Sequence, residues 1–470
     1  MADVLKIFSQ TGVHQIDLLG GTYKLRDGTW ATSTPQIVAD YNAVPYGAQS
    51  TFQNFLTQVE TMDLIAQDTT HSTIRTAQRN ISEALEEARM YNHHPLWTVH
   101  DATSGAEAVW LYWAIDGETE KKSLIYEGSL AGVNEQCAEP FISSNVSLLR
   151  MAITRHPFWE PTNSAQIYPT LISGWGGTYN FNNIGGDVWA RFETMQLYGQ
   201  GGSGPLYRTW MGIREEMAGT IHFEPIWQLE NGVTHNGASN STSRSGYSGS
   251  GHVRQSSPAV SLTKYVSITV DTVCAMAGHS DYNHQMGQYL VLCRCAVDSG
   301  TVGLQMRYGY AGGITTPSEE VFVTNTSWRL IELGRVTFPP VEFERGTVSN
   351  FMRYVTIEIY AEQVAGTSVL DLDALCLIPT HHFWQTEGAS IGNSSSYSAD
   401  IYTTPNDRYI CFGQGAAYPR YSLEYSAENW YLPTGDSIVV VAGERENEHV
   451  LADNAGIYAT YCLRWGMYRS

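Results

Sequence analysis

The sequence predicts a mainly β protein with a single helix, and three observations carry that expectation. Glycine is frequent (43 residues) and aromatic residues reach 12%, with 28 Tyr and 13 Trp, while charged residues make up only 16%. This favours pleated, half-buried surfaces joined by tight turns. Apolar or alternating runs of five to nine residues recur along most of the chain, separated by turn-forming residues. Only one segment, 72–92, carries a long apolar stripe at helical spacing.

From the N-terminus, "HQIDLLGG" and "TYKLRDGTW" read as short strands and turns. The helix follows in "HSTIRTAQRNISEALEEARMYNHH". Its stripe is Ile74, Ala77, Ile81, Ala84, Leu85, Ala88 and Tyr91, with Ser72 or Thr73 as the expected cap and Pro95 beyond its end. A lone amphipathic helix among strands is expected to lie across an open sheet face. Strands resume in "EAVWLYWAID", "KSLIYEGSL" and "SNVSLLRMAITRHPFWEP"; in the last, Leu149, Met151 and Ile153 alternate with Arg150 and Thr154. Another strand, "DVWARFETMQL", lies between glycine-rich stretches and closes a first block near residue 216.

A segment rich in Ser, Gly and Asn opens the next block, "FEPIWQLENGVTHNGASNSTSRSGYSGSGHVRQSS". Closely spaced strands follow, from "KYVSITVDTV" to "SVLDLDALCLIP", and imply a two-sheet sandwich or jelly roll of about 160 residues. Beyond Pro379 come further strands, among them "DSIVVVAGE" and "AGIYATYCLRW". Roughly 90 residues of strands are few for a core of their own, so they are expected to complete a sheet begun before residue 216. The expected division is 1–160, a discontinuous sandwich of 161–216 plus 381–470, and an insert at 217–380.

The formal net charge of −20 repels nucleic-acid phosphates, so direct nucleic-acid binding is not expected. No apolar run approaches the ~20 residues of a membrane-spanning helix. The opening "MADVLKIFSQTGVHQ" does not read as a secretory signal. The seven cysteines are scattered without a CxxC pair, and are expected to be reduced and mostly buried in a cytoplasmically made protein. The HExxH pattern and a phosphate-cradling glycine loop are missing. Glu215 and Glu216 would face opposite ways on a strand, and no enzymatic activity is expected.

The first 160 residues and the final stretch resemble the distal tail proteins of long-tailed, siphovirus-like bacteriophages. The likeness rests on the lone helix, the strand running into "RHPFWE", and "WYLPTGDSIVVVAGE…YATYCLRW". It implies a helix-bearing ring domain, a galectin-like sandwich, a hexameric homo-oligomer at the tail tip, and contacts with the tail tube protein and with hub or fibre proteins. Residues 217–380 resemble a jelly-roll carbohydrate-binding module. There the likeness rests on Phe223, Glu224 and Trp227 in "FEPIW", the turn "SGYSGSGHV" and the closing "LDLDALCLIP".

The second resemblance implies a host-surface saccharide as partner. It also implies a structural calcium on Glu224 and Asp373, a hard cation suited to oxygen ligands. Asp371 does not match the ligand position. For the sugar, Tyr247, His252, Arg307 and Trp328 are the candidates, by stacking and edge hydrogen bonds. The Tyr308–Tyr310 pair and Trp227 are expected in the core. His381 and His382, adjacent and so pointing apart, are expected to link two domains. The open alternatives are a polysaccharide-active enzyme with an attached binding module, or a free-standing adhesin or capsid decoration.

Overall fold

The computed structural model describes residues 3–9, 12–26, 37–44, 47–55, 57–93, 108–115, 118–132, 146–162, 165–172, 175–185, 188–199, 206–216, 223–276, 279–283, 287–310, 313–338, 343–344, 347–348, 354–380, 382–391, 399–404, 407–412, 420–421, 425–426, 431–432, 435–445 and 455–464. His381 and Pro95 lie outside them, and of His382 only the backbone is described.

The first sheet is antiparallel, in the order Gln15–Asp17, Val4–Ser9, Val109–Ala114, Lys121–Gly132, Val146–Arg155, Gln58–Gln67, Tyr23–Leu25. Strict alternation in Val4–Ser9 buries Leu5 and Ile7 while Lys6 and Phe8 stay half-exposed, the expected period of a one-sided sheet. Helix α1, His71–His93, lies across this face and buries Ile74, Ile81, Ala84, Leu85 and Ala88 against Leu5, Ile7, Leu111, Ile125 and Met151. Its cap differs from the expectation. The Thr70 hydroxyl accepts the Thr73 N–H at 3.2 Å, so capping falls two or three residues earlier than Ser72 or Thr73 would place it. At the other end the Asn92 amide donates to the carbonyls of Ala88, Ile125 and Tyr126, tying the last turn to the sheet.

Two further sheets are each built from strands distant in sequence. One runs Ala165–Ile172, Ala455–Arg464, Val188–Gly199, Ala399–Thr404, Asp407–Phe412, Arg420–Tyr421; the other runs Gly176–Ile184, Gly435–Arg445, Leu206–Glu216, His382–Ile391, Tyr425–Ser426. C-terminal strands thus sit between N-terminal ones. The chain leaves this pair of sheets after Leu206–Glu216 and returns on the neighbouring strand, with Gly212 opposite Phe383 and Ile213 opposite His382. At that crossing Gly212 presses against Pro379. A Cβ there would lie 2.2 Å from the Pro379 carbonyl oxygen, so only glycine fits.

Between these crossings stands an antiparallel jelly roll. Its first sheet is Ser239–Ser241, His252–Gln255, Leu370–Pro379, Gly287–Val297, Arg329–Phe338, with Ile226–Gln228 also on Leu370–Pro379; its second is Val233–Thr234, Thr263–Asp271, Tyr354–Ala365, Thr301–Tyr310, Gly313–Pro317. Every residue of Leu370–Pro379 is buried, because it packs on both faces. One apolar cluster runs from Trp210, Met211 and Val439 through Leu375 and Leu292 to Ile357 and Met306, joining jelly roll and two-sheet domain. Trp227 belongs to it, and Tyr308 and Tyr310 pack against it.

Polar contacts lock the same junction. Glu444, fully buried, takes the Leu330 N–H and lies 3.4 Å from Arg329 and 3.6 Å from Arg208. Glu332 accepts the Trp210 indole at 2.9 Å and the Gln385 amide at 2.6 Å. Arg214 donates to the Tyr289 hydroxyl at 2.6 Å.

Candidate functional site

The polar cluster that gathers most of the candidate residues lies where the Ser/Gly turn folds over the Leu370–Pro379 strand. Asp371 and Asp373, two residues apart, point to the same side of that strand. Ser248 in the turn donates its N–H to Asp373 at 3.0 Å and its hydroxyl at 2.9 Å. The guanidinium of Arg294 is paired with the same carboxylate and also donates to the Gly246 carbonyl at 2.6 Å. The rings of Trp328 and Trp175 flank that guanidinium at 5.0 and 5.6 Å. Burial pushes the Asp373 carboxyl above its ordinary value, against the pull of Arg294 and Ser248, and burial also lowers Arg294.

Asp371 is held by Arg244 at 2.5 Å, with His252 Nε2 at 3.2 Å and Arg254 at 3.7 Å. Asp298 bridges Arg244 and Arg254. Three arginines therefore face three aspartates, and the charges cancel within the cluster. His252 is wholly buried between Tyr247 and Trp328, with ring centres 5.6 and 5.5 Å away. Its burial lowers the imidazole below its ordinary value, against Asp371, so the ring is neutral.

The turn is completed by Glu230, which accepts the Ser250 N–H at 2.8 Å and its hydroxyl at 3.4 Å. Gly249 has φ of +65°, and a Cβ there would meet Glu230 Oε1 at 2.2 Å. Both facts require glycine at this position.

The expected sugar-binding set is not assembled. His252 and Trp328 are buried, and the Trp328 indole N–H is spent on the Ser245 carbonyl. They support the turn from beneath, where no ligand reaches. Tyr247 is half-buried against His252. Arg307 belongs to the other sheet, its guanidinium 4.0 Å above the Tyr360 ring and its Nε on Gln305.

The expected calcium pair is not assembled either. Ile226 pairs with Cys376 and Trp227 with Leu375. Extended by two residues, this register sets Glu224 opposite Ile378, five positions from Asp373 and about 16 Å away at ~3.3 Å per residue. Glu224 is exposed and contributes its carbonyl to the Trp227 indole, while Asp373 already holds a guanidinium. Glu224 and Asp373 do not fit a shared calcium ion.

Sequence reasoning passed over Arg244, Arg254, Asp298, Glu230 and above all Arg294. A signal for the last was present: Arg294 is the one charge in "YLVLCRCAV", an apolar run too long to be one-sided. A cation there requires a buried anion, and Asp371 and Asp373 sit in the other fully apolar strand.

No protein-family profile and no curated protein matches the chain. Among solved structures, it is similar to the baseplate of phage p2 in its activated conformation with Sr (8% identity, 79% of this chain and 98% of that chain, TM-score 0.26). It is also similar to the SPP1 Dit protein of the hub adsorption apparatus (8%, 79% and 98%, TM-score 0.19). A third similarity is to the GH26-CBM35 β-(1,4)-mannanase of Podospora anserina (14%, TM-score 0.22). It covers 33% of this chain, which spans about a quarter (27%) of the mannanase. At such TM-scores these likenesses support no statement about function.

Proposed function

We propose that the protein is a structural component of a phage tail tip, a distal tail or baseplate hub protein of the virion. In this reading copies close into a ring at the end of the tail tube and present the jelly roll to saccharide on the host surface. The observation that carries the reading is the architecture. A helix-backed sheet is followed by a two-sheet domain that is interrupted between Glu216 and His382 by a jelly roll sharing that domain's apolar core. Together with the sequence likeness of the outer segments to distal tail proteins, that order matches a ring subunit carrying an attachment module.

Physical requirements agree with it. Ring closure needs repeated heterologous contacts rather than a catalytic constellation. A net charge of −20 suits a channel through which DNA slides without sticking. A weak sugar site repeated around a ring gains avidity, provided each copy holds its module in a fixed pose, and the Glu444 and Glu332 contacts supply that fixity. The reading assigns no catalytic step.

The test is the mass of the purified protein by light scattering. A particle near six times 52.1 kDa is expected. A monomer that stays monomeric in the presence of tail tube protein overturns the ring, and degradation of polysaccharide by that monomer would point to an enzyme with a binding module instead.

A further inference from the structure

Beside the Ser/Gly turn, outside the ionic cluster, lies an open cleft of about 600 Å³ lined by Glu230, Asn231, Asn240, Thr242 and Ser250, with the Ser241 and Ser243 hydroxyls at its side. Its volume falls within the ~300–1,000 Å³ typical of small-molecule sites. We infer that this cleft is where the jelly roll binds saccharide, taking one uncharged or amino-substituted sugar unit through hydrogen bonds to Glu230, Asn240 and Thr242. The inference rests on the attachment role proposed above and gives it a location.

Glu230 carries the argument. It is 7% exposed; Oε1 is occupied by Ser250, whereas Oε2 is buried with no partner among the described residues. Leaving a buried carboxylate oxygen without a donor is costly, and Glu230 is itself one of the residues that line the cleft. Asn240 is fixed by its Nδ2, which donates to the Glu230 carbonyl at 2.8 Å. That leaves the Asn240 amide oxygen to accept a second donor. Ser241 is likewise fixed, accepting the Ser243 N–H at 3.1 Å. The polar groups are therefore held in place before any ligand arrives, which limits the entropy lost on binding.

The lining also determines the chemistry of the ligand. It includes no aromatic or aliphatic side chain larger than threonine, which excludes an apolar ligand. It has one carboxylate and no cationic side chain, so an anionic sugar such as a uronic acid or a phosphorylated unit is repelled. Calcium takes six to eight oxygens and favours several carboxylates. Here a single carboxylate has one oxygen already engaged, and no metal-holding group of three or more His, Cys, Asp or Glu occurs among the described residues. Hydroxyls arranged around a neutral ring satisfy the amides, the threonine and the carboxylate together.

The experiment applies the full-length protein, in parallel without and with EDTA, to a printed array of bacterial surface glycans spanning neutral, amino, uronic and phosphorylated sugars. Hits are then measured by titration calorimetry. Binding to neutral or amino-sugar glycans is expected. Glu230→Gln should weaken it about tenfold or more, the loss of one charge-assisted hydrogen bond. Thr242→Trp, at an exposed position, should abolish it by filling the cleft. Thermal melts matching the parent protein establish that the variants fold, and the exposed Trp variant decides the matter if Glu230→Gln does not.

Parent and variants binding alike would place the sugar elsewhere and overturn the cleft, leaving the attachment role intact. Binding confined to acidic glycans, or lost on adding EDTA, overturns it too. No binding to any glycan removes both the cleft and the saccharide half of the proposed function, while the ring mass stands as a separate result. Cleft-dependent binding by a persistent monomer would keep the cleft and reject the ring.

Discussion

Arg294 and Asp373 show how much depends on a single pair of side chains. Both are buried, and each is the other's charge partner. Replacing one strands the other, at a cost of about 3–5 kcal/mol. Arg294→Met is therefore expected to lower the unfolding free energy by that amount at neutral pH, measured by urea denaturation. The penalty should shrink as pH falls, because a protonated Asp373 no longer needs a cation. His252 gives a second expectation. Its folded-state pKa is depressed below the ordinary 6.5, so the unfolded chain binds its proton more readily. The stability from neutral His252 is present above 6.5 and is lost as pH falls through the folded value. Urea midpoints at pH 7.5 and 5.5 should fall with acid in the parent protein, and His252→Asn should flatten that slope. An unchanged slope would mean that the ring does not titrate on unfolding.

At the scale of elements, the crossing of Leu206–Glu216 and His382–Ile391 is where the insert is joined on. Gly212 has no room for a methyl group beside Pro379. Gly212→Ala is expected to cost about 1–3 kcal/mol or more, since backbone on both strands must move, and a thermal melt would show it. Helix α1 is a contrasting case. Its stripe of apolar residues was legible in the sequence because period 3.6 is a local property, and the observed span His71–His93 encloses 72–92. Its cap was not read correctly, since Thr70, Ser72 and Thr73 are equivalent as letters and only the path of the incoming chain selects among them. The alternation in Val4–Ser9 and Val146–Arg155 was legible for the same local reason.

For the whole molecule, the two large apolar cores among the described residues, beside a small third cluster of Tyr91, Ala108 and Leu124, have a measurable consequence. One lies under α1; the other runs without a break from the two-sheet domain into the jelly roll. Elements that share a core unfold together. Calorimetry is expected to resolve two transitions rather than three, and a separate third transition for the jelly roll would show that the Glu444 and Glu332 junction does not couple it. Glu332→Ala, which removes the acceptor for both Trp210 and Gln385, should begin to separate the jelly roll from its support.

By itself the sequence determined the β class, the helix His71–His93, the acidic charge balance, and the fact that Arg294, Asp371 and Asp373 stand as charges in apolar strands. These depend on composition and on periods of two and 3.6, which neighbouring residues impose on one another. Only the tertiary structure decided which charges meet. Asp373 joins Arg294 across 79 positions and Ser248 across 125, Asp371 joins Arg244 across 127, and Glu224 is left exposed. Loop closure over such distances leaves no local trace in the chain. The same closure set His252 and Trp328 beneath the turn instead of on its surface, and placed Glu230, whose neighbours in sequence do not distinguish it, beside the cleft.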